Sequence, residues 1–185
     1  MQRLLSKTSA SILVIMMAMG TFTLSAQKLI TKAMVVDFYS STPVEDIKAH
    51  LEDGLGIINT ASNKAVFQVK IESFVFEKAL MQEHFNENYL HSVRYPKATF
   101  SVSIEGMEDW TRQGTTHVNL VGDMLVHGVT RSIHVPARIV INEANGLELT
   151  AKFTVKPQDH GIEIPNLVVT KIAESIDIQV KASFL

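Results

Sequence analysis

Residues 121–141 read VGDMLVHGVTRSIHVPARIVI, two alternating runs that meet at His127-Gly128. Apolar side chains recur at every second position, which is the period of a half-buried β-strand. A His-Gly pair between two such runs indicates a tight turn, so the stretch predicts an antiparallel hairpin. Its apolar face holds Leu120, Met124 and Val126 before the turn and Val129, Ile133, Val135, Ile139 and Ile141 after it. Arg131 falls on that same face beside the turn, which predicts a cation at one end of a buried surface.

The same alternation extends through most of the chain. Clear apolar and polar faces alternate in residues 64–71, 98–105, 146–156 and 174–184, and weaker ones in residues 29–39 and 54–59. With the hairpin these make about eight strands. Strands with one apolar and one polar face are typical of antiparallel sheets. Eight of them close into a small barrel that holds side chains or one ligand.

One segment has helical periodicity instead. Residues 77–93 place Met81, Phe85 and Tyr89 four positions apart on one face, and Pro96 ends the segment. The acidic pair Glu45-Asp46 also follows a proline as the start of a helix would, but solvated charge explains it. The predicted fold class is therefore all-β with one short helix.

The first 26 residues are predicted to be a signal peptide. A basic start with Arg3 and Lys7 precedes a short apolar core, and Leu24-Ser-Ala26 offers a small-residue cleavage site. A retained anchor is the less favoured alternative, because a bilayer span needs about 20 mainly apolar residues. The expected product is a single domain of 185 − 26 = 159 residues, 27–185, exported to the periplasm or secreted, with no integral membrane span after cleavage.

Composition excludes several classes of function. Without Arg3 and Lys7, 15 basic residues face 19 acidic ones, a net charge of −4 for residues 27–185. A mildly acidic surface argues against nucleic-acid binding, which needs a basic stripe. The chain has no cysteine, so an exported form depends on core packing rather than disulfides and carries no lipidated cysteine.

The sequence contains no motif of a catalytic, metal or cofactor site. The seven histidines form no metalloprotease pattern, and no nucleophile elbow or phosphate-binding loop is present. His117 and His134 are expected diagonally opposite on the outer face of the hairpin, as solvated side chains, with a surface metal site as the less favoured alternative. We therefore predict no catalytic residue, no metal ligand, no cofactor and no enzymatic activity.

A closed barrel without a catalytic set favours a hydrophobic cavity. The alternative is a solid core in which Phe67, Phe100 and Phe153 meet and fill the interior. If a cavity exists, the residues predicted to contact its ligand are Phe67, Val69, Phe100, Val102, Leu120, Met124, Arg131, Val135 and Phe153.

Three motifs together resemble the YceI-like family of exported, lipocalin-like β-barrels. They are residues 122–131 (GDMLVHGVTR), residues 80–90 (LMQEHFNENYL) with 95–100 (YPKATF), and residues 38–47 (FYSSTPVEDI). The resemblance covers nearly all of residues 27–185. It implies an eight-stranded antiparallel barrel, capped by a helix, whose elongated apolar pore binds long isoprenoid or fatty-acyl lipids without catalysis.

Three functions follow from these patterns. The favoured one is carriage or sequestration of an apolar lipid in the cell envelope, with Arg131 either meeting the lipid's acidic head or extending into water. The second is an interaction module with a filled barrel and a binding loop at residues 157–171. The third is a lipid-directed enzyme using His84 or His160. A homodimer is left open as the assembly.

Overall fold

The computed structural model describes residues 27–144, 146–164 and 172–185. The predicted signal peptide and residues 165–171 of the 157–171 loop lie outside these residues. The described part contains ten β-strands, one α-helix and two short 3-10 turns. The strands are β1 Lys28–Ser41, β2 Asp46–Leu51, β3 Leu55–Asn59, β4 Lys64–Lys70, β5 Val75–Phe76, β6 Lys97–Glu105, β7 Gly114–Val126, β8 Val129–Ile141, β9 Leu147–Val155 and β10 Ile176–Phe184. Helix α1 spans Ala79–His84 and continues as a π-helical turn, Phe85–Tyr89, while the 3-10 turns span Ile71–Ser73 and Pro157–His160.

The sheet closes on itself because the last strand, β10, pairs with the first, β1. Strands β2 and β3 both lie along the same edge of β1 and together act as one interrupted strand. In the same way β5 continues β4 and pairs with β2. Counting each interrupted strand once, eight antiparallel strands close the barrel. The predicted fold class is confirmed.

The central hairpin forms as its sequence predicts. Val126 pairs with Val129, so His127 and Gly128 alone make the turn. Both have positive φ, 51° and 77°, which is the conformation of the tight turns that match the twist of a β-hairpin. A side chain at Gly128 would also meet the ring of Tyr95, whose Cε1 lies 2.7 Å from the position of a Cβ.

The helix-start signal at Glu45-Asp46 is not followed by a helix. Asp46–Leu51 is strand β2, in which Ala49 and Leu51 are buried at alternate positions against the core. The strand ends where Gly54 turns toward β1 and its N–H donates to the carbonyl of Met34 at 3.1 Å. Burial of this short apolar face outweighs the local helix-start signal.

The predicted helix is confirmed in its middle and is shorter at both ends. Leu90 donates to the carbonyl of Phe85, five residues earlier, at 2.9 Å, and this bond closes the π turn. The Asn86 amide donates to the carbonyl of Gln82 at 2.9 Å, one turn back. Met81 and Phe85 thereby pack against the barrel core as the helical spacing predicts.

One end of the barrel is filled with side chains. Ile58, Ile104, Ile139 and Phe184 are each 2% exposed or less. Trp110 closes this end by donating from Nε1 to Oδ1 of Asn63 at 2.7 Å. The barrel therefore has one closed end, opposite to the end that α1 covers.

On the outer wall, His50 of β2 lies opposite Asp37 of β1. Its Nδ1 lies 2.6 Å from Asp37 Oδ1, and its Nε2 lies 3.1 Å from Glu52 Oε1. These hydrogen bonds, the one to Asp37 first, raise the pKa of His50 above its ordinary value of 6.5. A raised folded-state pKa stabilises the fold fully below the unfolded pKa, and that stabilisation is lost as the pH rises through the folded pKa.

We therefore expect His50→Gln to lower the free energy of unfolding more at about pH 5.5 than at about pH 8.5. The effect is small because all three side chains are solvated. Urea unfolding of both proteins at both pH values measures it. His134→Gln, at another exposed position, controls for the loss of a histidine charge. Equal losses at the two pH values would show that the two carboxylates do not stabilise the charged ring.

Candidate ligand-binding cavity

The barrel encloses a cavity of about 550 Å³ beneath α1. This volume lies within the range of small-molecule sites, and apolar side chains form most of the wall. On β10, Ile176, Ile178 and Val180 line the cavity, whereas Ala182 and Phe184 beyond them belong to the packed core. The barrel is therefore hollow at the α1 end and filled at the other.

The structure brings together most of the predicted ligand-contacting residues. Seven of the nine line the cavity: Phe67, Val69, Phe100, Leu120, Met124, Val135 and Phe153. The three phenylalanines, which the solid-core alternative would bring into contact, instead line the cavity. Phe67 pairs with Phe100 across β4 and β6, while Phe153 lies on β9 opposite Ile178.

Val102 is a first correction to the predicted site. It is buried, 5% exposed, but it lies one inward position closer to the closed end than Phe100. Its cross-strand partners, Ala65 and Gly122, do not line the cavity either. Val102 therefore belongs to the packed core and does not line the cavity.

Arg131 is the second correction. The residue lies opposite Met124, as the alternation predicts, but its side chain is exposed. Its Nε donates to the carbonyl of Asp159 at 2.6 Å, in the 3-10 turn that follows β9. Arg131 lies beside the tip of the hairpin, and its long side chain extends out of the barrel to this carbonyl. Arg131 therefore holds the 3-10 turn in place and does not line the cavity.

Aromatic rings that the sequence reading missed surround the covered end of the cavity. Phe85, in the π turn, has ring-centroid distances of 6.0 Å to Phe38, 5.7 Å to Phe74 and 4.9 Å to Phe76. All four line the cavity. Phe74 and Phe76 show period-2 spacing in the sequence SFVFEK, a signal that could have placed them on one face. Edge-to-face and tilted ring contacts of this kind hold the π turn on the barrel.

An ion pair fixes the start of the helix over the cavity. Lys78, the residue before α1, lies with its Nζ 2.8 Å from Oε1 of Glu45 in the turn between β1 and β2. The hydrogen bond to Glu45 raises the pKa of Lys78. Both side chains line the cavity, so they place a charged pair at the edge of an apolar space.

The cavity offers little for acid–base chemistry. His84 lines it, but in the described residues no hydroxyl or carboxylate is hydrogen-bonded to this ring. His160 is buried outside the lining, with its Nδ1 3.1 Å from the carbonyl of Val129. His117 and His134 are not diagonal neighbours, since they lie opposite Arg138 and Val121. Within residues 27–144, 146–164 and 172–185, no three metal-ligating side chains cluster.

The sequence profile of the YceI-like domain matches residues 20–184 of the chain. The chain belongs to the YceI-like family. Its fold is similar to that of a polyisoprenoid binding domain from Saccharophagus degradans implicated in plant cell wall breakdown. The TM-score is 0.72 at 15% sequence identity, over 86% of this chain and 98% of the other.

Two further solved structures share the YceI-like fold. Burkholderia cenocepacia BcnA has a TM-score of 0.68 at 15% identity, over 81% of this chain and 95% of its own. The Campylobacter jejuni YceI protein has a TM-score of 0.55 at 15% identity, over 71% of this chain and 78% of its own. No curated protein matches the sequence. At these identities the likeness establishes the fold.

None of the helices in the described residues has the length and apolar character needed to cross a membrane.

Proposed function

We propose that this YceI-like protein binds a long apolar lipid, of isoprenoid or fatty-acyl type, and carries or sequesters it without catalysis. The observation that carries the proposal is the apolar cavity of about 550 Å³ under α1. Each methylene group buried there contributes about 0.8 kcal/mol. The lining lacks a paired nucleophile and base in the described residues, which supports binding rather than reaction.

The seven lining residues predicted from the sequence, together with Phe85 and the phenylalanines around it, form the proposed contact surface for the lipid tail. Glu45, Lys78, His84 and Tyr89 are the charged and titratable residues of the lining, so a polar lipid head is best accommodated beside them. The polyisoprenoid binding of the Saccharophagus degradans domain supports a ligand of this class.

We further propose that the protein acts in the cell envelope, after residues 1–26 have been removed. The basic start and short apolar core of this segment support export. N-terminal sequencing of protein recovered from its own envelope is expected to begin near Gln27. Intact Met1 on membrane-bound protein would contradict the proposal.

Native mass spectrometry of gently purified protein tests the lipid-binding function. The expected spectrum shows a mass increment that organic extraction removes and that matches an isoprenoid or acyl lipid. Re-adding the extracted lipid at a hundredfold excess over its dissociation constant should stabilise the fold by about 2.7 kcal/mol. Bare protein, combined with no thermal stabilisation by apolar lipids, would overturn the proposed function.

A further inference from the structure

The outer wall of the barrel carries a row of exposed aliphatic side chains. Ile30 of β1 lies opposite Ile57 of β3, which lies opposite Val66 of β4. These three side chains are 57%, 47% and 48% exposed. Leu55, 57% exposed, follows on the same face of β3, and Leu185, 71% exposed, donates its N–H to the carbonyl of Ile30. Contiguous exposed apolar surface of this kind indicates an interaction site.

Lysines border this row on both sides. Lys28 and Lys64 both lie opposite Asn59, one row toward the closed end, and Lys32 lies two residues beyond Ile30. All three lysines are exposed, and none forms a salt bridge within the described part of the chain. The neighbours of the row on β4 and β6 are polar and uncharged: Gln68, Ser101 and Ser103. Asp53, two residues before Leu55 on the same face, is the carboxylate at the edge of the row. Three exposed lysines and one carboxylate therefore border the aliphatic row, a local excess of positive charge on a protein whose residues 27–185 carry a net charge of −4.

We propose that this lysine-bordered patch, formed by Ile30, Leu55, Ile57, Val66 and Leu185 with Lys28, Lys32 and Lys64, docks the barrel on an anionic lipid bilayer. Each lysine near an anionic membrane surface adds about fivefold to the affinity, equivalent to about 1 kcal/mol. The aliphatic side chains between the lysines enter the membrane interface. The lysine stems lie along the apolar surface, and their ammonium groups remain in water. Charge complementarity thus identifies the partner.

A second copy of the chain fits the same patch poorly. Two-fold pairing would bring the lysines of one protomer close to those of the other. Asp53 borders the patch beside Leu55, but its carboxylate accepts a hydrogen bond from Ser73 at 2.8 Å, and one carboxylate does not neutralise three lysines. Like charges brought together in an interface oppose association.

Docking on this wall leaves the lipid cavity accessible. Behind Ile57 and Val66 the barrel is filled by Ile58 and Ala65, which are 0% and 3% exposed. Helix α1 and the ion pair of Lys78 lie at the other end of the barrel. Membrane attachment and ligand binding therefore use separate surfaces, and one can be lost without the other.

Vesicle co-sedimentation tests the proposal, using purified protein whose N terminus is established by intact mass so that all variants share it. We expect binding to vesicles of phosphatidylcholine with about a third phosphatidylglycerol, and little binding to phosphatidylcholine alone. The triple variant Lys28→Gln/Lys32→Gln/Lys64→Gln should bind the anionic vesicles about a hundredfold more weakly. The matched control Lys48→Gln/Lys152→Gln/Lys156→Gln removes the same charge from other exposed positions and should lose less than tenfold.

The aliphatic row is tested separately with Ile57→Thr/Val66→Thr, which keeps β-branched residues in both strands. Its binding should remain weaker than wild type even at about 1 M salt, where a Debye length of about 3 Å screens the lysines. Absence of binding to anionic vesicles, or equal losses for the two lysine triples, would overturn the proposal. So would a stable dimer in light scattering that Ile57→Thr/Val66→Thr dissociates, because the patch would then bind a second copy. Native mass spectra with unchanged lipid content in every variant would show that the cavity is intact whichever result is obtained.

Discussion

Gly122→Ala is expected to destabilise the barrel by at least about 3 kcal/mol, at the upper end of the cost of overpacking. Gly122 lies on β7 directly opposite Val102 of β6. A Cβ built on Gly122 overlaps the carbonyl oxygen of Ser101 and lies 2.8 Å from the Cα of Val102. These are backbone atoms, so no rotation about a side-chain bond relieves the overlap. The two strands must separate, and both lose ladder hydrogen bonds in the middle of the sheet.

Gly54→Ala is the matched control for this variant. A Cβ at Gly54 also overlaps a neighbour, but that neighbour is the end of the flexible Met34 side chain, while the backbone oxygen of Met34 lies farther away, at 3.1 Å. A methionine has three rotatable bonds and adapts its packing at modest cost. We therefore expect the free energy of unfolding, measured by urea titration, to fall several times further for Gly122→Ala than for Gly54→Ala. Equal losses would mean that β6 and β7 can move apart without breaking their pairing.

The sequence predicts the barrel because the alternation of apolar and polar residues shows which face of each strand is buried. It predicted the hairpin, the main strands and seven residues of the cavity wall. All of these follow from knowing which face of each strand points into the barrel. It did not reveal β2, since six residues that begin with Asp46 carry too short an alternation to outweigh a helix-start signal. Short strands are stabilised by their neighbours, which local sequence does not show.

Position along a strand is what alternation leaves undetermined. Val102 and Phe100 have the same inward orientation, but only Phe100 lines the cavity. Arg131 occupies an inward-facing position in the strand, but its side chain is long enough for the guanidinium to reach the carbonyl of Asp159. The lysine-bordered patch is also invisible in the linear sequence, because Lys28, Lys32 and Lys64 come together only when β1 and β3 and then β3 and β4 pair. These features follow from three-dimensional packing and from side-chain reach.

The largest effect on ligand binding is expected from Ala151→Phe. Ala151 lies on β9 opposite Val180 of β10, and both line the cavity. A phenyl ring at this position points into the space that a lipid tail would occupy. If it displaces three or four methylene groups, it removes about 2.4–3.2 kcal/mol of binding free energy. The affinity should therefore fall roughly 60- to 200-fold. The fold should lose little stability, because the ring enters open volume.

Ala182→Phe makes the same substitution on the neighbouring strand and serves as its control. Ala182 is 0% exposed and lies between Leu149 and Met34; these two line the cavity, whereas Ala182 itself is fully covered and does not. The added ring has no space there, so the protein should be destabilised by about 1–3 kcal/mol or more. Titration of a fluorescent fatty acid and of an isoprenoid alcohol, together with thermal unfolding, distinguishes the two positions. If Ala151→Phe were as destabilised as Ala182→Phe, the interior would be filled, and a barrel without space could not hold a lipid. If Ala151→Phe were stable and still bound both lipids with wild-type affinity, the ligand would lie outside the cavity. Only a stable protein that has lost binding places the lipid tail beside Ala151.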